Sequence, residues 1–128
     1  MKLFLGVLLL VVAVGAHFVA LYFGVYDAQI ANGFVWFDNL LHAVVGVAFG
    51  LLWLWWLGSA EPNLWGMVAF VLVAALLWEL LEYGFFIFFN TYALGLKVYS
   101  PTWAEALSDA GSNVFGALML AGWRQATK

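Results

Sequence analysis

The stretch LLWELLEYGFFIFF, residues 76–89, is apolar enough to dissolve in hydrocarbon, yet it holds Glu79 and Glu82 with no Lys or Arg near them. A run of this kind reads as a membrane helix carrying a functional polar site, because an acid deep in a span costs about 2.5–3.5 kcal/mol. The rest of the chain supports the membrane half of that reading. Of its 128 residues 67% are hydrophobic, 20% aromatic and only 9% charged. Soluble domains average about 45–50% apolar and about 25% charged residues. A chain this apolar would precipitate in water, so an integral membrane protein forming one domain, residues 1–128, is expected. The net charge is −3 with no basic run, which excludes nucleic acid as a partner. Cysteine is absent, so disulfides, thiolate metal sites and cysteine nucleophiles are excluded as well.

A spanning helix needs about 20 mainly apolar residues. Four segments qualify: 3–26, 36–57, 64–89 and 103–123, the last being the least apolar. Turn signals separate them, with Asn32-Gly33 after the first, GSAEPN (58–63) after the second, and a loop with Gly, Ser and Pro from Asn90 to Thr102. The N-terminal run resembles a signal peptide, but its apolar stretch continues to Tyr26, longer than such a peptide needs, and a true span is expected. Only helices or closed barrels cross lipid, and these segments are too long for barrel strands. The predicted fold is an all-α integral membrane protein, a four-transmembrane-helix up-down bundle with antiparallel sequence neighbours. Lys2, Arg124 and Lys128 stand at the ends and Lys97 in the third loop, which places both termini in the cytoplasm. Gly6, Gly15, Gly46, Gly50 and Gly116 are expected at close helix contacts.

With a rise of about 1.5 Å per residue, every span delivers polar groups to the outer half of the bilayer. The first brings His17, the second Asp38 and His42, the third Glu79 and Glu82, and the fourth Glu105, Asp109 and Asn113. Spacings of i, i+3, i+4 and i+8 put the residues of each helix on one face. This set holds five of the seven acids in the chain. Simpler accounts exist for some members. His17 suits a hydrogen-bonded packing role, Glu105 a helix start, Asp38 an N-terminal cap, and Asn113 interhelical hydrogen bonding. None covers Glu79, Glu82 and Asp109 together, because unpaired carboxylates at one depth repel. Either protons neutralise them, or a divalent ion does. Carboxylates and imidazoles projected from facing helices form a metal cage. Without thiolates the set suits Mg²⁺, Mn²⁺, Fe²⁺ or Zn²⁺. Asp38, His42, Glu79, Glu82, Glu105, Asp109, Asn113 and His17 are the candidate ligands, with Glu79, Glu82 and Asp109 the candidate catalytic acids and bases.

The motifs FDNLLH (37–42), WELLEY (78–83) and EALSDAGSNVFGA (105–117) resemble those of bacterial inner-membrane proteins of the YjdF type and, more loosely, VanZ-like membrane proteins. The resemblance covers residues 36–118. It implies the patterns D-x3-H at Asp38 and His42, W-E-x2-E at Trp78, Glu79 and Glu82, and an acid followed by D-x3-N-x2-G-A through Glu105, Asp109, Asn113, Gly116 and Ala117. Glu105 stands where Asp is commoner, which keeps the carboxylate. The resemblance also implies that this chain is a short form with fewer spans, and it names no reaction. Three functions remain open. One is a metal-dependent intramembrane hydrolase or transferase acting on a lipid or lipid-linked substrate. Another is a proton- or cation-coupled transporter, which in so small a bundle requires a homo-oligomer. The last is a non-catalytic subunit held by other membrane subunits.

Overall fold

The computed structural model describes residues 1–31, 36–58, 63–89, 92–93, 96–97 and 102–127. The elements are α1 (Lys2–Tyr22), α2 (Val25–Ala31), α3 (Trp36–Trp56), α4 (Leu64–Phe89), β1 (Tyr92–Ala93), β2 (Leu96–Lys97) and α5 (Trp103–Ala126). β1 and β2 form a minimal antiparallel pair in the third connection, with Tyr92 opposite Lys97. The turn signals at Asn32-Gly33 and at 59–62 lie outside the described residues.

The first expected span, 3–26, is cut short. Gly24 takes φ +66°, the left-handed conformation that glycine adopts without steric cost, and this stops α1. The Phe23 and Gly24 amides bond back to the Val19 and Leu21 carbonyls at 3.0 and 3.3 Å. Tyr26 therefore lies in the first turn of α2 instead of ending α1. From α2, the buried Gln29 accepts a hydrogen bond from the Phe37 amide at 3.1 Å. That satisfies one of the first-turn donors that α3 would otherwise leave unpaired.

Among the described residues α1, α3 and α4 are long and apolar enough to cross a membrane. α5 is longer than α1 but carries Glu105, Asp109, Asn113 and Arg124, which lower its apolarity. It hides the central two of these, since Asp109 and Asn113 are buried.

The bundle is built on a pair that is not adjacent in sequence. α3 and α5 make the most extensive contact, α1 lies on α3, and α4 lies chiefly on α5. Residues of α3 and α5 meet in the same order, Asn39 with Ser108, His42 with Asn113, and Gly50 with Ala117 and Leu120, so the two helices run parallel. α1 meets α3 in the opposite sense, Gly6 beside Ala48 and Leu52, and His17 beside Asp38. The α3–α5 crossing is tight because two glycines allow it. A Cβ at Gly46 would collide with the backbone of Asn113, and one at Gly116 with the backbone of Ala43. Gly15, expected at a helix contact, faces open space, because α1 meets α3 along a different face. Away from the polar half, Met67, Val71, Ala117 and Ala121 form an apolar core covered by Phe49, Trp53 and Phe70.

Gly46→Ala and Gly116→Ala are expected to destabilise the protein by about 1–3 kcal/mol, the usual cost of overpacking. Gly15→Ala and Gly111→Ala, with nothing within 4 Å, should be neutral or stabilising. Thermal unfolding of the purified protein in detergent micelles separates the two pairs; equal losses in all four would refute the backbone-contact account.

Candidate metal centre

Asp38 enters the site from the first turn of α3, and His42 lies one turn deeper on the same face. The parallel packing of α5 brings Asp109 and Asn113 alongside. One ligand atom from each of Asp38, His42 and Asp109 lies within 4.8 Å of the other two. His42 Nε2 stands 3.9 Å from Asp38 Oδ1 and 3.8 Å from Asp109 Oδ2. His42 and Asp109 are 8% and 7% exposed, so both are shielded from solvent. Asp38 Oδ1 is buried and has no hydrogen-bond partner. A buried carboxylate oxygen left in this state is costly unless something positive completes it.

The trio fits a small divalent cation. Its donors are two carboxylate oxygens and one imidazole nitrogen, a set that Mg²⁺, Mn²⁺, Fe²⁺ and Zn²⁺ all accept. His42 Nε2 lies 3.8–3.9 Å from each carboxylate and all three ligand atoms lie within 4.8 Å of one another, separations at which the three could share one ion.

The other predicted site residues take graded positions around this trio. His17 reaches Asp38 from α1, with Nδ1 3.8 Å from Asp38 Oδ1. The same Nδ1 shares a 2.9 Å hydrogen bond with the Tyr26 hydroxyl, which occupies the face it would offer an ion. His17 therefore supports Asp38 from outside. Glu82 is half-buried, and its Oε1 accepts a 2.7 Å hydrogen bond from Trp78 Nε1, one turn back on α4. Its electrostatic neighbours are His17, Glu79 and Asp38. Glu79 has a buried Oε1 without a hydrogen-bond partner and interacts with Asp38 and Glu105. Asn113 is buried between His42 and the Asp109 backbone.

Glu105 has a structural task. Its carboxylate accepts from the Thr102 amide at 2.9 Å, while the Thr102 hydroxyl accepts from the Glu105 amide at 3.2 Å, a capping box at the start of α5. Glu105 is also solvent-exposed, so it stands as a helix cap beside the site and not as a ligand.

Three contributors escaped the sequence reading. Tyr26 is buried against His17; burial, and then the nearby Asp38 charge, push its phenol above the ordinary tyrosine range, so it keeps its proton. Its position after the Gly24 break was the available signal. Asn39 joins the helices of the site, its Oδ1 accepting from Ser108 and Ser112 at 2.8 and 2.9 Å. Asn39 lies one residue from Asp38, on the neighbouring helix face, and Ser108 and Ser112 share an i, i+4 face of α5. Gln29 ties α2 to α3. A groove of about 590 Å³ lies over the Asn39 clamp, lined by Trp36, Leu40, Ala43 and Phe115, but none of the carboxylates lines it.

Thr102→Ala is expected to cost about 1 kcal/mol through the lost cap, whereas Glu105→Gln, which preserves the box, should change stability by only a few tenths. Thermal unfolding in micelles reads both, and an equal loss in the two variants would count against the cap assignment. Comparison with protein families, with curated proteins and with solved structures finds no match for this chain.

Proposed function

We propose that this chain is a four-span membrane protein of the bacterial or archaeal cytoplasmic membrane that holds a divalent cation at Asp38, His42 and Asp109. The observation that carries the reading is the convergence of three donor atoms from two helices within 4.8 Å, one of them a buried carboxylate oxygen that accepts no hydrogen bond. Two carboxylates and a neutral imidazole carry the charge that a divalent ion balances, and the described residues place no Lys or Arg at the trio. α5 serves as the fourth span because its buried acid and amide face α3 and not lipid. Both termini then face the cytoplasm, in keeping with the basic residues at the ends. Membership of a YjdF-type family, suggested by the motifs in residues 36–118, is part of this proposal.

A metal-dependent hydrolase or transferase acting on a lipid-linked substrate is the activity we favour. A bound ion would supply Lewis acidity and a more acidic water. The protein's own groups divide the remaining work. Asp38 and Asp109 balance charge, and His17 with Tyr26 orients Asp38. In this proposal Glu79, whose Oε1 accepts no hydrogen bond, takes up a proton, and Glu82, held by Trp78, returns one. The polar half of the bundle lies at the outer leaflet in this orientation, where a lipid headgroup is within reach. A homo-oligomer or other membrane subunits would complete the lipid-facing surface.

One observation favours a second reading. Tyr26, His17, Asp38, His42 and Asp109 form an unbroken series of titratable groups, with successive separations of 2.9, 3.8, 3.9 and 3.8 Å. Such a series suits proton or cation translocation.

Protein purified in mild detergent should retain about one divalent ion per chain. Asp38→Asn and Asp109→Asn should each lower that content at least tenfold, and Glu105→Gln should leave it unchanged. Elemental analysis decides the matter; metal-free native protein that carries protons across liposome membranes would favour the second reading.

A further inference from the structure

Asn113 is 2% exposed, and its two amide atoms are used unequally. Nδ2 lies 2.8 Å from the backbone carbonyl of Asp109 and 2.9 Å from His42 Nδ1. Oδ1 is buried without a hydrogen-bond partner. Turning the amide over would press Oδ1 against the Asp109 carbonyl, two acceptors in contact. A backbone carbonyl has no proton to give, so Nδ2 must face it. The second N–H of Nδ2 then points at His42 Nδ1, which has to be an acceptor. A neutral imidazole carries one proton, and it therefore sits on Nε2. Nε2 is the atom that faces Asp38 Oδ1 and Asp109 Oδ2.

We infer that Asn113 fixes His42 in the Nε2–H tautomer, so that a proton and not a lone pair faces the two carboxylates, and that it thereby opposes metal binding at this trio. Metal-ligating histidines ordinarily donate their second N–H to an acceptor, which frees the ligating nitrogen. Here the outer partner is a donor, the reverse arrangement. For Nε2 to coordinate, the ring proton must move to Nδ1 and the Asn113 amide must turn over, giving up its bond to Asp109. Asn113 is thus a positioning residue that touches neither ion nor substrate. It sets the cluster to hold a proton at rest, which a binding ion has to displace. The tautomer follows from the hydrogen bonds alone, while the effect on affinity rests on the metal reading above.

The two parts are tested separately. The chain has two histidines, so long-range ¹H–¹⁵N spectra of the full-length, chelator-treated protein in micelles show two imidazoles, assigned with His17→Gln. Native His42 should carry its proton on Nε2. Asn113→Asp places an acceptor at Nδ1 and should move the proton there. Zn²⁺ competition against a chromogenic chelator should show Asn113→Asp binding about 10–100-fold tighter than native protein, the span typical of outer-shell partners. Asn113→Ala, which removes the donor without supplying an acceptor, should give a smaller gain of the same sign. A native His42 protonated on Nδ1, a tautomer unmoved in Asn113→Asp, or Zn²⁺ affinity that falls in both variants would overturn the inference. The expected tautomers with no Zn²⁺ bound by any form would uphold the tautomer assignment and remove the metal reading instead.

Discussion

The site depends on the backbone contact between α3 and α5. Gly46 sits on the Asn113 backbone and Gly116 on that of Ala43, at a separation where no side chain fits. Small residues permit such a close approach of helix backbones. The approach has a direct chemical consequence. It puts His42 of one helix within hydrogen-bond distance of Asn113 of the other and within 3.8 Å of the Asp109 carboxylate. Asn39 with Ser108 and Ser112 fixes the register of the same pair nearer the end that carries the acids. Polar clamp, tight glycine crossing and apolar core succeed one another along a single helix pair.

Around that pair the other helices add groups in order of decreasing commitment. α1 contributes His17, which is tied to Tyr26 and leans on Asp38. α4 contributes Glu79 and Glu82 from a helix with most of its apolar side chains exposed. Trp78 reaches from it toward α1, its ring edge-on to His17. Residues on the well-packed α3–α5 pair are held in place, as a metal or proton site needs. Those on α4 are backed by fewer neighbours.

A cluster of acids and two histidines in an apolar chain raises a charge problem that the fold answers in part. The Tyr26 hydroxyl and the His17 ring approach Asp38, and Trp78 donates to Glu82, so part of the negative charge meets local donors. Asp38 Oδ1 and Glu79 Oε1 are buried without a hydrogen bond, although two imidazoles stand within 3.9 Å of Asp38 Oδ1. Unsatisfied buried polar atoms of this kind are rare in folded proteins.

The composition and the length of the apolar runs determined, without any coordinates, that the chain is helical and where three helices long and apolar enough to span a membrane begin. Helical spacing alone also grouped Asp38 with His42 and Asp109 with Asn113, because residues four apart share a face whatever the tertiary context. Local chemistry settled the role of Glu105 as well, since Thr102 three residues before it is a capping-box signature that could have been read directly. What periodicity does not carry is which faces meet. That α3 packs parallel to α5, that Gly24 halts α1 so that Tyr26 turns back onto His17, and that Asn113 presents a donor and not an acceptor to His42 were decided only by the tertiary structure. The reason is physical: helix pairing follows from shape complementarity between glycine surfaces distant in sequence, and a tautomer follows from the partners that this pairing supplies.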